Sequence, residues 1–177
     1  MRILFVTVNR SDYGIWRPVL RLLKNKLPEI EIGIFATGGH QSGRHGNTLS
    51  EIETDKFFNK LYNFPCTMAD DSALGGAASI SFIPPSLGFT IKEFSPDMIF
   101  VLGDRYEVLA AALSISLFRI PIVHFHGGSI TEGAVDDNFR HAITKLSHYH
   151  FVECLEFKQR LVQLGEDKNN IFISGAP

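Results

Sequence analysis

Cysteine is scarce. Cys66 and Cys154 are the only two, and their spacing forms no pair motif. A disulfide framework is therefore not expected, and reduced thiols in a cytoplasmic setting are. No apolar run reaches 18 residues, so no membrane span is expected. There is no basic excess: Lys and Arg total 17 against 19 Asp and Glu, a formal charge of −2. That balance argues against nucleic acid as a partner. The opening MRILFVTVNRSDYG lacks the small-residue cleavage site of a signal peptide. The turn after the first apolar run is not GxGxxG, and no acidic residue closes the second, so NAD is not expected. Repeats, low-complexity tracts and linker-like segments are missing too.

What is present is an ordinary core-forming composition, 45% hydrophobic and 20% charged over 177 residues. Such a chain is one domain, here read as residues 1–177, or half of a two-domain protein. It can bury roughly two-thirds of the surface its unfolded form exposes. The run SGAP follows directly on a strand-like segment, which predicts that more protein follows.

Ile3–Val8 is β-branched and apolar, a buried strand. NRSDYG reads as a polar turn. A helix follows, with Trp16, Leu20, Leu23 and Leu27 at helical spacing and Pro18 in its first turn. Glu31–Thr37 reads as a second strand, and ATGGHQSGRHGNT as a loop carrying His40, Arg44 and His45. Thr48 and Glu51 form a capping-box pattern ahead of a helix. Ser72–Phe94 reads as a helix that Pro84 and Pro85 break at Ile83. Met98–Leu102, Ile122–Phe125, Tyr149–Val152 and Ile171–Ser174 read as strands. Between them Val108–Leu117, Asp136–Ser147 and Leu155–Leu164 read as helices. Strands alternating with helices predict an α/β fold, a Rossmann-like doubly wound parallel sheet.

Chemistry concentrates between Val101 and Phe151, which hold five of the seven histidines, His124, His126, His141, His148 and His150. Asp104 follows one strand, and His126 and Ser129 follow another. Asp136 and Asp137 open a helix, with Asp136 and Arg140 at i, i+4 spacing. Open α/β sheets bind ligands at the carboxyl ends of their strands, where these groups would converge. Carboxylates and histidines in one cleft can divide acid and base roles. Arg10, Arg105 and Arg140 supply forked cations that suit pyrophosphate. The residues alone thus read as a site for a phosphorylated ligand with proton transfer. His124-Phe-His126 and His148-Tyr-His150 could each chelate, but no cysteine or carboxylate completes a zinc set at short spacing, so no metal is expected.

NRSDYG, GGH…GNT, VLGDRYE, HFHGG, TEGAVDDNFRHAITKLSHYHF and SGAP together resemble the amino-terminal half of the hydrolysing UDP-N-acetylglucosamine 2-epimerases. That resemblance implies one half of a GT-B pair, with a nucleotide sugar in the cleft between lobes and much of the UDP held by the other lobe. It implies expulsion of UDP from the anomeric carbon as a base removes the proton at sugar position 2. Water then adds to the resulting glycal, giving the free 2-epimer. Neither metal nor organic cofactor is implied, and a homodimer through this domain is. By the same resemblance Asp104 matches the catalytic aspartate after the fourth strand, Asp136 matches the acidic residue that opens the following helix and is taken as catalytic with it, and Arg10 and Arg105 match phosphate contacts. His40, His124, His148 and His150 match histidines implicated in activity. Some members carry a catalytic Glu where this chain has His126, which makes His126 the candidate base. Members that read HGGE there have Glu where this chain has Ser129. A non-catalytic nucleotide-sugar module and half of a GT-B glycosyltransferase are the rival readings.

Overall fold

A computed structural model describes residues 1–41, 48–65, 72–131, 133 and 135–176. Arg44, His45, Cys66 and Glu132 lie outside the described residues. The elements alternate: β1 (Arg2–Thr7), α1 (Arg10–Lys26), β2 (Glu31–Ala36), a 3₁₀ turn (Gly38–Gln41), α2 (Leu49–Asp55), β3 (Lys60–Asn63), α3 (Ala73–Ser81), α4 (Ile83–Phe94), β4 (Met98–Leu102), α5 (Tyr106–Leu117), β5 (Ile122–Phe125), α6 (Asp136–Leu146), β6 (Tyr149–Val152), α7 (Leu155–Gln163) and β7 (Ile171–Ile173). All strand pairs are parallel, in the order β3-β2-β1-β4-β5-β6-β7. The order reverses between β1 and β4, so those two carboxyl ends flank the crevice that a doubly wound sheet opens.

Each face of the sheet has its own core. On one, Leu4, Val6, Ile99 and Val101 pack against Ile83, Leu87 and Ile91 of α4 and Val108, Ala111 and Ile115 of α5. On the other, Ile3, Phe5, Ile32 and Ile34 pack against Trp16 and Leu20 of α1 and Ile52 of α2. Trp16 is fully buried, and its indole N–H donates to the Val6 carbonyl at 3.0 Å, which leaves no polar atom orphaned. A file of rings, Phe100–Phe125–Phe151–Phe172, runs across β4 to β7 on this second face.

Four local expectations need correction. NRSDYG is not a turn ahead of α1 but its first coils: Asn9 Oδ1 accepts from the Asp12 N–H at 3.0 Å, and the helix starts at Arg10. Pro18 consequently sits inside the helix. Pro18 and Gly14 are both exposed, so the Gly14 carbonyl that Pro18 cannot bond meets water. The Thr48 side chain makes no cap bond; its hydroxyl bonds His40 instead, so the capping box does not form. Ala73–Phe94 taken together is long and apolar enough to cross a membrane. Its α4 half turns Ile83, Leu87, Ile91 and Phe94 into the core, while Leu74, Phe82 and Phe89 stay exposed. The break at the proline pair does form: α3 ends at Ser81, and Pro84 and Pro85 fall in the first turn of α4, where a missing N–H costs little.

Candidate active site

At the switch between β1 and β4 lies a cleft of about 770 Å³. Asn9 and Arg10 at the start of α1, Arg105 and Glu107 around the start of α5, and Val135 and Phe139 around the start of α6 line it, with Gly39 and Thr48 beside them. Helix amino-termini carry unpaired N–H groups and positive dipole ends, so this wall favours an anion. Arg10 reaches Glu51 at 2.9 Å and keeps most of its side chain in solvent. Arg105 is gripped from behind: its Nε and Nη2 donate to the two Glu107 oxygens at 3.0 and 2.8 Å. That fork pushes the guanidinium pKa still higher, so Arg105 stays charged. Glu107, the last residue of VLGDRYE, is buried.

Asp12, also absent from the sequence candidates, sits buried in the first turn of α1 with Oδ2 accepting from the Val8 N–H at 3.1 Å. Burial pushes its carboxyl up to about 6, against the opposing pull of the Val8 N–H and Arg105.

Asp104 and the start of α6 are joined by Arg140. Its guanidinium is buried, ion-paired to Asp104, bonded to Thr131 Oγ1 at 2.9 Å and to Asp137 Oδ1 at 2.7 Å. The expected Asp136–Arg140 pair is thus replaced by Asp137–Arg140, because Arg140 reaches across toward β4 and Asp137 lies on that path. Arg140 therefore faces carboxylates, not an open phosphate position. Asp137 also accepts from the Thr131 N–H at 3.0 Å, which ties down the loop before α6. Asp136 opens α6, half-buried, next to this network.

The histidines divide. His124 is fully buried, with Nε2 donating to the Gly103 carbonyl at 2.9 Å and Nδ1 3.2 Å from Thr144 Oγ1. Burial pulls its pKa down to about 3, so it braces the β4 loop as a neutral ring. His40 is also buried, between the hydroxyls of Thr7 and Thr48 at 2.9 Å each, and burial lowers it to about 4. It pins the 3₁₀ turn to β1 and α2. His150 is buried with Nε2 at 3.2 Å from Glu166, and burial lowers its pKa. His148 precedes β6 and accepts from the Ile122 N–H at 3.2 Å, so it lies at the amino edge of the sheet, away from the cleft. His126 follows β5 with a left-handed φ of 67° and pairs with Glu153 at 3.2 Å. That turn separates the rings of His124 and His126, which meet different partners. Ser129 is half-buried just beyond Gly128. Among the described residues no cluster of His, Cys, Asp and Glu could hold a metal ion.

These shifts set an acid response. His40 and His124 bind fewer protons folded than unfolded, so their contribution to stability is lost as pH falls from about 6.5 toward 4 and 3. Asp12 acts the other way: its contribution is present below the usual carboxylate range and lost as pH rises to about 6. His150, also lowered by burial, adds in the same direction as His40 and His124, so the histidines outweigh Asp12. Urea unfolding is expected to show about 2 kcal/mol less stability at pH 5 than at pH 7, and equal values would contradict these assignments.

Comparison with known proteins adds a family. A family model described as UDP-N-acetylglucosamine 2-epimerase matches residues 23–177. A UDP-N,N'-diacetylbacillosamine 2-epimerase (hydrolyzing) of Legionella pneumophila is 42% identical over 99% of this chain and 46% of its own length. A GDP/UDP-N,N'-diacetylbacillosamine 2-epimerase (hydrolyzing) of Campylobacter jejuni is 37% identical over 99% of this chain and 45% of its own. The crystal structure of a Neisseria meningitidis UDP-GlcNAc 2-epimerase bound to UDP-GlcNAc superposes with TM-score 0.85 at 21% identity, covering 99% of this chain and 46% of that one. The chain spans about half the length of the relatives it matches. The expected Rossmann-like half of a GT-B fold is the fold found.

Proposed function

The chain belongs to the UDP-N-acetylglucosamine 2-epimerase family, and from that footing we propose that it forms the amino-terminal half of a hydrolysing 2-epimerase acting on a UDP-2-acetamido sugar. The observation that carries this is the 42% identity along nearly the whole chain to a relative named as such an enzyme. The two relatives above are both named for the diacetamido sugar, which favours that substrate over UDP-N-acetylglucosamine. In this reading Arg10, Arg105 and the amino ends of α1 and α5 hold the diphosphate. His126 takes the proton from C2. The C2–H electron pair becomes the C1=C2 bond, and the C1–O pair leaves with UDP. Asp104 and Asp136, at the same carboxyl edge, serve the water that adds OH to C1 and the proton that returns to C2 on the opposite face. His40 and His124 act from behind the site by bracing its loops, whereas His150 pairs with Glu166 beyond the end of α7. A cytoplasmic homodimer belongs to the same proposal.

The test is to incubate the protein at its natural length with either UDP-sugar in D₂O. Expected are free UDP and a 2-epimer carrying one deuterium at C2. Product without deuterium, or sugar transferred to an acceptor, would contradict the reading. Ser129, where related sequences read Glu, favours a second reading as a non-catalytic nucleotide-sugar module. UDP-sugar binding without UDP release would support that one.

A further inference from the structure

Left-handed backbone at a non-glycine residue costs about 1–2 kcal/mol and persists where surrounding structure enforces it. His126 is such a residue, at φ 67°. The turn brings its Nδ1 to Glu153 Oε1 at 3.2 Å, just past the carboxyl end of the neighbouring strand β6. Among the described residues its buried Nε2 has no hydrogen-bond partner, nor has the second Glu153 oxygen. An ionised carboxylate offers only lone pairs, so the ring nitrogen facing it must carry the proton. Neutral His126 is thereby held as the Nδ1–H tautomer, with a bare lone pair on Nε2.

We propose that Glu153 is a positioning residue for proton transfer: it fixes the ring and tautomer of His126 so that the ring's lone pair lies on Nε2, an atom shielded in this arrangement that takes the sugar C2 proton once substrate uncovers it. This rests on the 2-epimerase reading above. The same β6–α7 segment also holds the loop backbone. The His126 N–H donates to the Phe151 carbonyl at 3.1 Å, and Arg160 Nη1 donates to the Gly128 carbonyl at 3.1 Å. Backbone and ring are thus fixed from one side, while Asp104 and Asp137 are fixed from the other by Arg140. In the step itself the C2–H bond breaks and the N–H bond forms at Nε2. The resulting imidazolium keeps its Nδ1–H on the Glu153 carboxylate, whose charge stabilises it.

Two variants, Glu153→Ala and Glu153→Gln, would be made at the natural chain length and UDP release measured. For the alanine variant kcat is expected to fall on the order of 10²-fold with KM changed by about 2-fold or less. Glutamine, whose carbonyl oxygen still accepts from Nδ1–H, should recover roughly a tenth or more of that loss. Histidine-labelled ¹⁵N NMR should show His126 of the wild type protonated on Nδ1 and of the alanine variant redistributed toward Nε2. An alanine variant with wild-type kcat would overturn the proposal, as would a wild-type His126 that carries its proton on Nε2. If the wild type releases no UDP from either sugar, the 2-epimerase reading fails, and the tautomer measurement alone upholds or overturns the placement of His126 by Glu153.

Discussion

Arg140→Met is expected to lower stability by about 3–5 kcal/mol, which moves the thermal midpoint by roughly 10 °C in a chain of this size. The guanidinium is buried and bonded at once to Asp104, Asp137 and Thr131. Removing it leaves two partly buried carboxylates facing each other with no cation between them. Methionine fills the volume, so the loss isolates charge from packing. Arg140→Lys is expected to recover little, because one ammonium cannot span three acceptors in a fixed fork. Adding Asp104→Asn and Asp137→Asn to the methionine variant should recover part of the loss, since no unpaired charge then remains. Chemical denaturation of the set is the measurement, and a loss under about 1 kcal/mol for Arg140→Met would contradict the network.

Gly128→Ala is expected to cost on the order of 3–4 kcal/mol and to displace the loop that carries His126. At φ 77° an alanine pays the left-handed penalty of about 1–2 kcal/mol. Its Cβ would also stand 2.5 Å from the Phe157 carbonyl oxygen and 3.0 Å from its carbon, so backbone has to move. Gly165→Ala supplies the control. Its φ is 89°, but among the described residues nothing lies within 4 Å of a Cβ there. It should show the conformational penalty alone, about 1–2 kcal/mol. Equal costs at the two positions would mean that α7 does not press on the loop.

Where the chain is buried on both faces, its structure was legible from the letters. Met98–Leu102, Ile122–Phe125 and Tyr149–Val152 are short apolar runs, and each forms a strand with those bounds. β3 was not legible, because Lys60-Leu-Tyr-Asn is an edge strand with two polar residues of its four. Its order comes from pairing with β2 and from Lys60 and Tyr62 meeting Glu93 of α4. The site was half legible. Strand ends located Asp104 and His126 at one edge, but the partners that orient them come from distant sequence. Arg140 reaches 36 residues back to Asp104, and Glu153 lies beyond another strand. His148 shows the converse: it stands just before β6 and bonds the Ile122 N–H at the start of β5, at the edge of the sheet away from the cleft. Asp12 looked like a turn residue until the Asn9 cap put it inside a helix.

The strand order has a consequence for synthesis. β1 is an interior strand of the sheet, yet one of its two neighbours, β4, begins only at Met98. The Arg2 N–H waits for the Asp97 carboxylate, 95 residues later. A ribosome adding about 5–20 residues per second needs roughly 3–12 s to travel from the end of β2 to β4. Through that interval one edge of β1, with Leu4 and Val6, has no mate. The nascent chain is therefore most open to misassociation while its first half is already made, and a holdase that binds apolar segments would find its target there.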